Sequence, residues 1–248
     1  MNVVYILWLR QVKKYFRSRS RIVGSLAQPL LFLLAFGFGF GSLYSKAGGG
    51  SYIQFLAPGI IAMSVLFTSI FTGIEIIWDR QFGFLKETLV APVSRFEIML
   101  GRTLGGATVG AIQGVIVFLL TLIVGFRPTN IFLLPFGFLF IFLIGLLFTS
   151  LGTAIASKLE DMQGFQLIMN FLIMPIFFLS GALFPLKGLP SVMEVIAKMD
   201  PLTYGVDGLR GTLIGVLNFS LSLDFTVLII VTVVFLLIGS YLFSKIQV

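Results

Sequence analysis

Few residue types in this 248-residue sequence could carry covalent or metal chemistry. The chain has no cysteine and no histidine, which excludes disulfides, Cys/His zinc sites, thiol nucleophiles and imidazole acid–base catalysis. It has no G-x-x-x-x-G-K-[ST] stretch, so we do not expect it to cradle the phosphates of ATP. No serine-hydrolase elbow or metal-ligand cluster is found in the sequence. We therefore expect a protein that is not an enzyme by itself and that binds no metal or cofactor.

Three polar residues stand out because they lie in or beside apolar stretches. Glu75 lies near the end of the second apolar stretch with Asp79 one turn later, and Asn170 lies deep in the fifth. A carboxylate inside a membrane is a candidate functional group, because burying a charge there is costly. Glu75 could serve as a coupling-ion site or form a structural ion pair near the interface. Asn170 could hydrogen-bond across helices or line a pathway.

The composition indicates an integral membrane protein with all-α architecture. Only 11% of the residues are charged, against about 25% in soluble domains, and the mean hydropathy is +1.07. A membrane-spanning helix needs roughly 20 apolar residues. Six segments meet this requirement within a single domain of residues 1–248 and are predicted to be transmembrane helices: 22–43, 53–78, 100–125, 131–156, 164–183 and 223–244.

The basic residues predict the orientation of the chain. An even number of spans puts both termini on one side, and Lys and Arg mark the cytoplasmic side. With the termini inside, only five of the 17 basic residues lie outside, which leaves twelve inside; the five are Lys46, Arg127, Lys187, Lys198 and Arg210. We expect a multi-pass protein of the plasma or inner membrane with cytoplasmic termini. The net charge of +7 belongs to this membrane pattern and does not predict nucleic-acid binding.

The first 21 residues predict a basic amphipathic helix that lies in the cytoplasmic interface. At 100° per residue, one face is basic and the other is apolar and aromatic. The basic face holds Arg10, Lys13, Lys14, Arg17 and Arg21, and the apolar face holds Val4, Tyr5, Trp8, Leu9, Val12, Tyr15 and Phe16. The segment is too long and too basic for a cleaved leader, so we interpret it with the first span as a retained signal-anchor.

The loop at residues 79–99 is longer and more structured than a linker between two spans needs to be. Phe82, Leu85 and Leu89 have i, i+3, i+7 spacing, which predicts a short helix with one apolar face. Pro92 ends that helix, because proline disfavours helix at the preceding residue. Ser94 and Glu97 then form an S-x-x-E capping box that opens the next helix. The apolar face could meet another protein or rest on lipid headgroups.

Two further patterns concern packing and the outer face. Residues 184–222 predict two short helices, 190–199 and 201–215, with Asp200 at the N-cap of the second and an Asp207–Arg210 ion pair within it. We interpret them as a re-entrant hairpin. The third span contains small residues at G-x-x-x-G spacing, which favour close packing of helices within the subunit or across a dimer seam: Gly101, Gly105, Gly106, Gly110 and Gly114.

Three stretches resemble the type-2 ABC export permeases, including daunorubicin-resistance-like membrane subunits. They are WDRQFGFLKETLVAPVSRFEIMLGR (residues 78–102), SGALFPL (180–186) and DPLTYGVDGLRG (200–211). The likeness extends to the six spans, the N-terminal interfacial helix and the re-entrant hairpin, so it covers essentially the whole chain. One departure is Asp200, where the family more often has asparagine, and both residues cap helices well.

The resemblance implies a permease subunit that dimerises with a second copy or a paralogue and pairs with two separate ATPase subunits, which bind ATP and Mg²⁺. It implies that the coupling helix sits in a cleft of the ATPase through Asp79, Arg80, Phe82, Phe84, Leu85, Lys86, Glu87 and Leu89. It places an outer gate at Phe184, Pro185 and Tyr204. The substrate path would run between protomers along spans one, two and five, with Asn170 and Phe71 as candidates. The competing interpretation is a secondary transporter or channel that needs no ATPase.

Overall fold

A computed structural model describes residues 3–46, 50–85, 88, 92–186, 188 and 190–246. Among these residues the chain forms eleven α-helices and one 3₁₀ helix, and no strand. The helices are α1 (Val3–Arg17), α2 (Arg19–Gly39), α3 (Gly41–Lys46), α4 (Tyr52–Phe71), α5 (Ile74–Gln81), α6 (Arg95–Val124), α7 (Leu134–Ala156), α8 (Met162–Leu179), α9 (Ser191–Met199), α10 (Pro201–Ile214) and α11 (Leu221–Ser244), with the 3₁₀ helix at Ile131–Leu133.

Six helical segments are long and apolar enough to cross a membrane, which confirms the predicted number: 22–39, 52–81, 95–124, 131–156, 162–179 and 221–244. The bounds of the first three spans differ from the predicted ones. The first span stops at Gly39 before the short α3. The second is interrupted at Thr72 and Gly73, where the chain lies so close to the fourth span that a side chain at Gly73 would collide with the backbone of Gly152. The third begins at Arg95, directly after its cap.

The helices are buried to very different extents. The span formed by α4 and α5 is central, with 78% of its apolar window buried, whereas α2 and α8 are only 17% and 22% buried. Helix α4 packs against α2, α6, α7 and α10. One end of the bundle carries α1, the loop after α5 and the start of α8, and we call it the α1 end. The opposite end carries α9 and α10, and we call it the hairpin end.

The glycines of α6 allow other helices of the same chain to approach closely. A Cβ at Gly101 or Gly105 would lie about 3 Å or less from α1, on Val4, Leu7 and Gln11. At Gly106 a Cβ would lie 2.5 Å from side-chain atoms of both Thr72 and Thr149, which belong to the second and fourth spans. The small-residue run is therefore used for packing within the subunit.

A matched pair of glycine substitutions tests this packing. Gly106→Ala is expected to destabilise the protein by about 1–3 kcal/mol, because a methyl group overfills a closed contact. Gly39→Ala makes the same change where nothing lies within 4 Å, and it is expected to be neutral or slightly stabilising. Thermal unfolding of both variants in detergent gives the comparison, and equal midpoints would contradict the packing role of Gly106.

Both predicted helices of the hairpin are present as α9 and α10. The predicted cap is also present: the backbone N–H of Leu202 donates to Asp200 Oδ1 at 2.9 Å. Helix α10 packs against α4, α7 and α11, and residues 202–213 are buried apart from Tyr204, which is partly exposed. Its depth in a bilayer, and so its re-entrant character, stays a prediction.

The predicted Asp207–Arg210 ion pair is wrong, because each side chain has other partners. Asp207 accepts hydrogen bonds from the backbone N–H groups of Asn218 and Phe219 at 2.8–3.0 Å. Arg210 donates to the carbonyl of Gly181 at 3.0 Å, and its guanidinium lies 4.0 Å from the ring centroid of Phe55. Asp207 thus organises the turn before α11, and Arg210 ties α10 to the chain after α8 and to α4.

Helix α1 is present at Val3–Arg17 and packs along α6. The buried stripe is Leu7, Gln11 and Tyr15, with i, i+4, i+8 spacing, and Tyr15 donates to Gln113 Oε1 at 2.6 Å. Of the residues placed on the predicted apolar face, Tyr15 is buried in this contact, whereas Tyr5 and Phe16 are exposed. One face of α1 is therefore covered by protein, and its location at a membrane interface stays a prediction.

Candidate functional site

A buried ion cluster joins the second span to α1 and α6 at the α1 end. Asp79, only 4% exposed, accepts from Arg10 through both oxygens at 2.7 and 3.2 Å, and from Arg102 Nη2 at 2.5 Å. Arg102 is almost fully buried, whereas the side chain of Arg10 is 43% exposed. The charge of Asp79 is therefore neutralised inside the subunit. Its carboxylate is covered by these two arginines within the subunit, and a contact of Asp79 with an ATPase stays a prediction.

Glu75 lies one turn earlier and has its own partner on α1. Lys14 Nζ lies 3.4 Å from Glu75 Oε2 and 5.3 Å from the ring centroid of Trp78. Of the two interpretations of Glu75, this geometry is that of the structural ion pair. A second link between α1 and the second span results.

The end of α5 is also tied to the turn between α7 and α8. Arg80 donates to the carbonyls of Leu159 and Ser157 at 3.2 and 3.3 Å. Gln81 donates to the carbonyl of Glu160 at 3.2 Å. The helix that leads into the loop is thus held from two sides, by α1 and α6 through Asp79 and by this turn through Arg80.

Beyond Gln81 the chain turns sharply and exposes aromatic rings. Gly83 has a φ of +81°, a conformation that favours glycine, and it separates Phe82 from Phe84. Phe82 is 69% exposed and Phe84 is 53% exposed, whereas Leu85 is 0% exposed. The spacing predicted one apolar face shared by Phe82 and Leu85, and this prediction is wrong. The turn at Gly83 ends the helical register between the two residues. Lys86, Glu87 and Leu89 lie outside the described residues.

The far side of the loop is fixed by the predicted capping box. The backbone N–H of Glu97 donates to Ser94 Oγ at 3.1 Å, and the backbone N–H of Ser94 donates to Glu97 Oε2 at 3.0 Å. Both halves of the box are present, so α6 begins where the sequence indicated.

The three predicted outer-gate residues are not all brought together. Phe184 and Pro185 line an apolar cavity of about 350 Å³ with Phe36, Phe40 and Tyr52 at the hairpin end. Tyr204 does not line it: its hydroxyl donates to the carbonyl of Lys198 at 2.8 Å and its ring lies 5.2 Å from that of Phe219. Tyr204 therefore holds α9 to α10 in this structure.

The two path candidates lie in the same half of the molecule, at the α1 end. Phe71 lines a cavity of about 230 Å³ between α2 and α4, and its ring lies 6.3 Å from that of Phe165 on α8. Asn170 is exposed on α8. Sequence reasoning missed the roles of Arg10 and Arg102. A buried arginine near the start of a long apolar helix was the available signal for Arg102, because such a charge needs a partner.

These features define a polytopic α-helical membrane protein with an anchored, aromatic-tipped loop at one end. The chain belongs to the ABC-2 type transporter family, whose family model matches residues 2–214. It is therefore a type-2 ABC permease and a membrane transport permease subunit, as the resemblance implied.

Named relatives agree with this assignment. Nodulation protein J of Rhizobium leguminosarum bv. viciae is 30% identical over 243 residues, covering 97% of this chain and 91% of that protein. The putative transport permease ycf38 of Cyanophora paradoxa is 30% identical over 259 residues, covering 95% and 87%. The inner membrane transport permease YadH of Escherichia coli strain K12 is 27% identical over 234 residues, covering 94% and 91%.

Proposed function

We propose that this chain is the membrane-spanning subunit of an ATP-driven exporter, works as a dimer, and is driven by separate ATPase subunits that bind ATP and Mg²⁺. Its termini and the α1 end face the cytoplasm, in keeping with the excess of basic residues there. Family membership and the relatives named as transport permeases support the transport role.

The observation that carries the proposal is the contrast between the base and the tip of the loop after α5. The base is held by Asp79 and Arg80, while the tip exposes Phe82 and Phe84. Exposed aromatic side chains on a fixed element are the type of residue that dominates binding energy at protein interfaces. A tip resting on lipid headgroups would need the same apolar surface, but it would not need a base held from two sides.

Force applied at this tip would reach several helices at once. Asp79 connects α5 to α1 and α6, and Arg80 connects it to the turn before α8. Closure of the ATPase pair would therefore move α1, α5 and α6 together, not the loop alone. In this proposal Phe82 and Phe84 contact the ATPase, whereas Asp79, Arg80 and Leu85 position the loop.

The dimer and the path follow from the least-covered helices. Helices α2, α8 and α11 have the smallest buried shares of their apolar windows, 17%, 22% and 22%. Of these three, α2 and α8 adjoin each other through Phe32 and Phe177, whose ring centroids lie 6.1 Å apart. We place the second copy or a paralogue opposite this side of the molecule, with the cargo path between protomers along α2, α4 and α8. Phe184 and Pro185 would close its outer end.

Co-purification tests the function directly. The tagged permease is expressed in its native host, and the detergent-solubilised complex is isolated with the subunits that it retains. We expect two ATPase subunits per permease dimer and ATP hydrolysis that changes when the permease is present. Transport that needs no ATP and follows an ion gradient, with no ATPase retained, would overturn the proposal in favour of a secondary transporter.

A further inference from the structure

Three positively charged residues line one cavity at the α1 end, and each comes from the end of a different span. The cavity has a volume of about 280 Å³. Arg80 lies one residue before the end of the second span, Lys158 two residues after the fourth, and Lys245 one residue after the sixth. We call these three residues the basic cluster. Because spans end at the surface of the bilayer, the basic cluster is expected at the depth of the lipid headgroups.

The charges of the basic cluster are not neutralised within the part of the chain that the structure describes. Arg80 donates to the backbone carbonyls of Leu159 and Ser157, which are uncharged acceptors. The ammonium of Lys245 lies 4.3 Å from the ring centroid of Tyr241. Lysines that follow a helix often donate to its last carbonyls. Among the described residues neither Lys245 nor the other lysine of the cluster makes such a bond, so both ammonium groups remain available to a ligand.

One acidic residue accompanies the three cations. Glu160 is the one carboxylate in the described lining of the cavity, so the lining carries three positive charges against one negative charge. Within residues 3–46, 50–85, 88, 92–186, 188 and 190–246, no ion pair within 4.0 Å joins Glu160 to the basic cluster. The cavity therefore has an excess of positive charge, and an anion is the ligand that would balance it.

A stripe of exposed apolar side chains leads from the basic cluster along α11. It follows steps of four, three and four residues back from Lys245, and its members are Tyr241, Ile238 and Val234. These side chains are 59%, 45% and 45% exposed. We call them the α11 stripe. Positive charge at the depth of the headgroups and apolar surface beneath it match the two parts of an anionic phospholipid.

We propose that this cavity binds the phosphate of an anionic phospholipid, with the headgroup on the basic cluster and an acyl chain along the α11 stripe. Its volume is just below the roughly 300–1,000 Å³ of pockets for drug-sized ligands, which suits a headgroup. Basic pockets between spans recur as sites for anionic lipid headgroups. The assignment goes beyond the proposed export function and does not depend on it, because a phospholipid can bind the permease without an ATPase.

The site also adjoins the base of the loop after α5, because Arg80 belongs both to the cavity and to that base. A bound phosphate would bridge the last span, the end of α5 and the turn before α8. A ligand that binds the folded state alone stabilises it. Phosphatidylglycerol is therefore expected to raise the unfolding temperature of the permease.

The test measures lipid binding to the purified permease in detergent, without any ATPase. Three probes share one fluorescent acyl chain and differ only in headgroup: phosphatidylglycerol, phosphatidylcholine and plain diacylglycerol. We expect phosphatidylglycerol to bind at least about tenfold more tightly than the other two, and added salt to reduce this preference. Free glycerol phosphate, a soluble source of the same phosphate group, is added as a competitor, and we expect it not to displace the lipid.

Substitutions of the two exposed lysines assign the binding to the cavity. Lys158→Gln with Lys245→Gln should reduce the preference to less than about twofold, because each basic residue near an anionic headgroup contributes about fivefold in affinity. Arginine at both positions keeps the charges and should retain the preference. Lys46→Gln is the matched control, because Lys46 is also an exposed lysine but lies on α3, beyond the opposite end of the first span. Unfolding temperatures without lipid establish that the variants remain folded.

Three results would overturn the inference. They are equal binding of the three probes, a preference that survives in the double glutamine variant, and an equal loss in the control. Displacement by glycerol phosphate would assign the basic cluster to a soluble anion instead of a lipid. A double glutamine variant that keeps the lipid preference but loses ATPase binding would assign the lysines to the ATPase. Failure to co-purify an ATPase with the lipid preference intact would overturn the proposed function but not the lipid site.

Discussion

Replacing Asp79 by leucine is expected to destabilise the permease by about 3–5 kcal/mol, because Arg102 would be left charged and unpaired in a buried position. In a chain of this size that corresponds to a fall in the unfolding midpoint of roughly 6–20 °C. The measurement is thermal unfolding of the purified protein in detergent. Arg10→Gln should have a smaller effect, because Arg10 is 43% exposed and water replaces its partner.

A double variant distinguishes a lost charge pair from lost packing. Asp79→Leu together with Arg102→Leu removes both buried charges, so it is expected to be less destabilising than Asp79→Leu alone. The exposed Glu194–Lys198 pair supplies the control, and Glu194→Gln should cost less than about 1 kcal/mol. A double variant as unstable as the sum of its single variants would contradict the buried-pair explanation.

Substitutions at the exposed tip of the loop are expected to weaken ATPase binding, whereas a substitution at its buried base is expected to destabilise the fold. Phe82→Ala with Phe84→Ala should weaken ATPase binding at least about tenfold while the unfolding temperature stays unchanged, because both rings are exposed in the subunit. Leu85→Ala should instead destabilise the subunit by about 2–5 kcal/mol, because its side chain is fully buried in the core. Binding is measured by titrating ATPase onto immobilised permease.

An exposed phenylalanine at the hairpin end completes this comparison. Phe132 is 90% exposed and lies far along the chain from the loop, in the 3₁₀ helix before α7. Phe132→Ala should alter neither ATPase binding nor stability. If the Phe82→Ala, Phe84→Ala variant also bound ATPase normally, the ATPase-binding surface would have to lie elsewhere on the α1 end. The interpretation that the loop contacts lipid would then gain support.

Local patterns predicted the local parts of this molecule. Runs of apolar residues gave the six spans, and the Ser94–Glu97 spacing gave the start of α6, because each depends on residues a few positions apart. The Asp200 cap was predicted for the same reason. The apolar face of the helix after α5 was not predicted correctly. Residue spacing assumes one continuous helix, and the turn at Gly83 interrupts it.

Contacts between distant segments were not predictable from spacing. Arg10 was assigned to a solvent-facing basic side of α1, yet its partner Asp79 lies 69 residues away. Asp207 and Arg210 have the spacing of a helical ion pair, but a turn eleven residues later offers Asp207 better donors. Similarly, no property of Leu85 itself distinguishes an anchor for a partner from a core residue. Burial is decided by the helices that surround it.

The Asp79 cluster can form only after its last member has been synthesised, which fixes the earliest time at which α1 is fully docked. The ribosome delivers α1 early, but Arg102 follows Arg10 by 92 positions, being 69 residues to Asp79 and 23 more to Arg102. At roughly 5–20 residues per second, roughly 5–20 s pass after Arg10 is made before all three members of the cluster exist. A nascent chain that stalls before the third span lacks α6, so the basic helix α1 stays undocked. An undocked α1 is then a feature by which membrane quality control could distinguish aborted chains from finished ones.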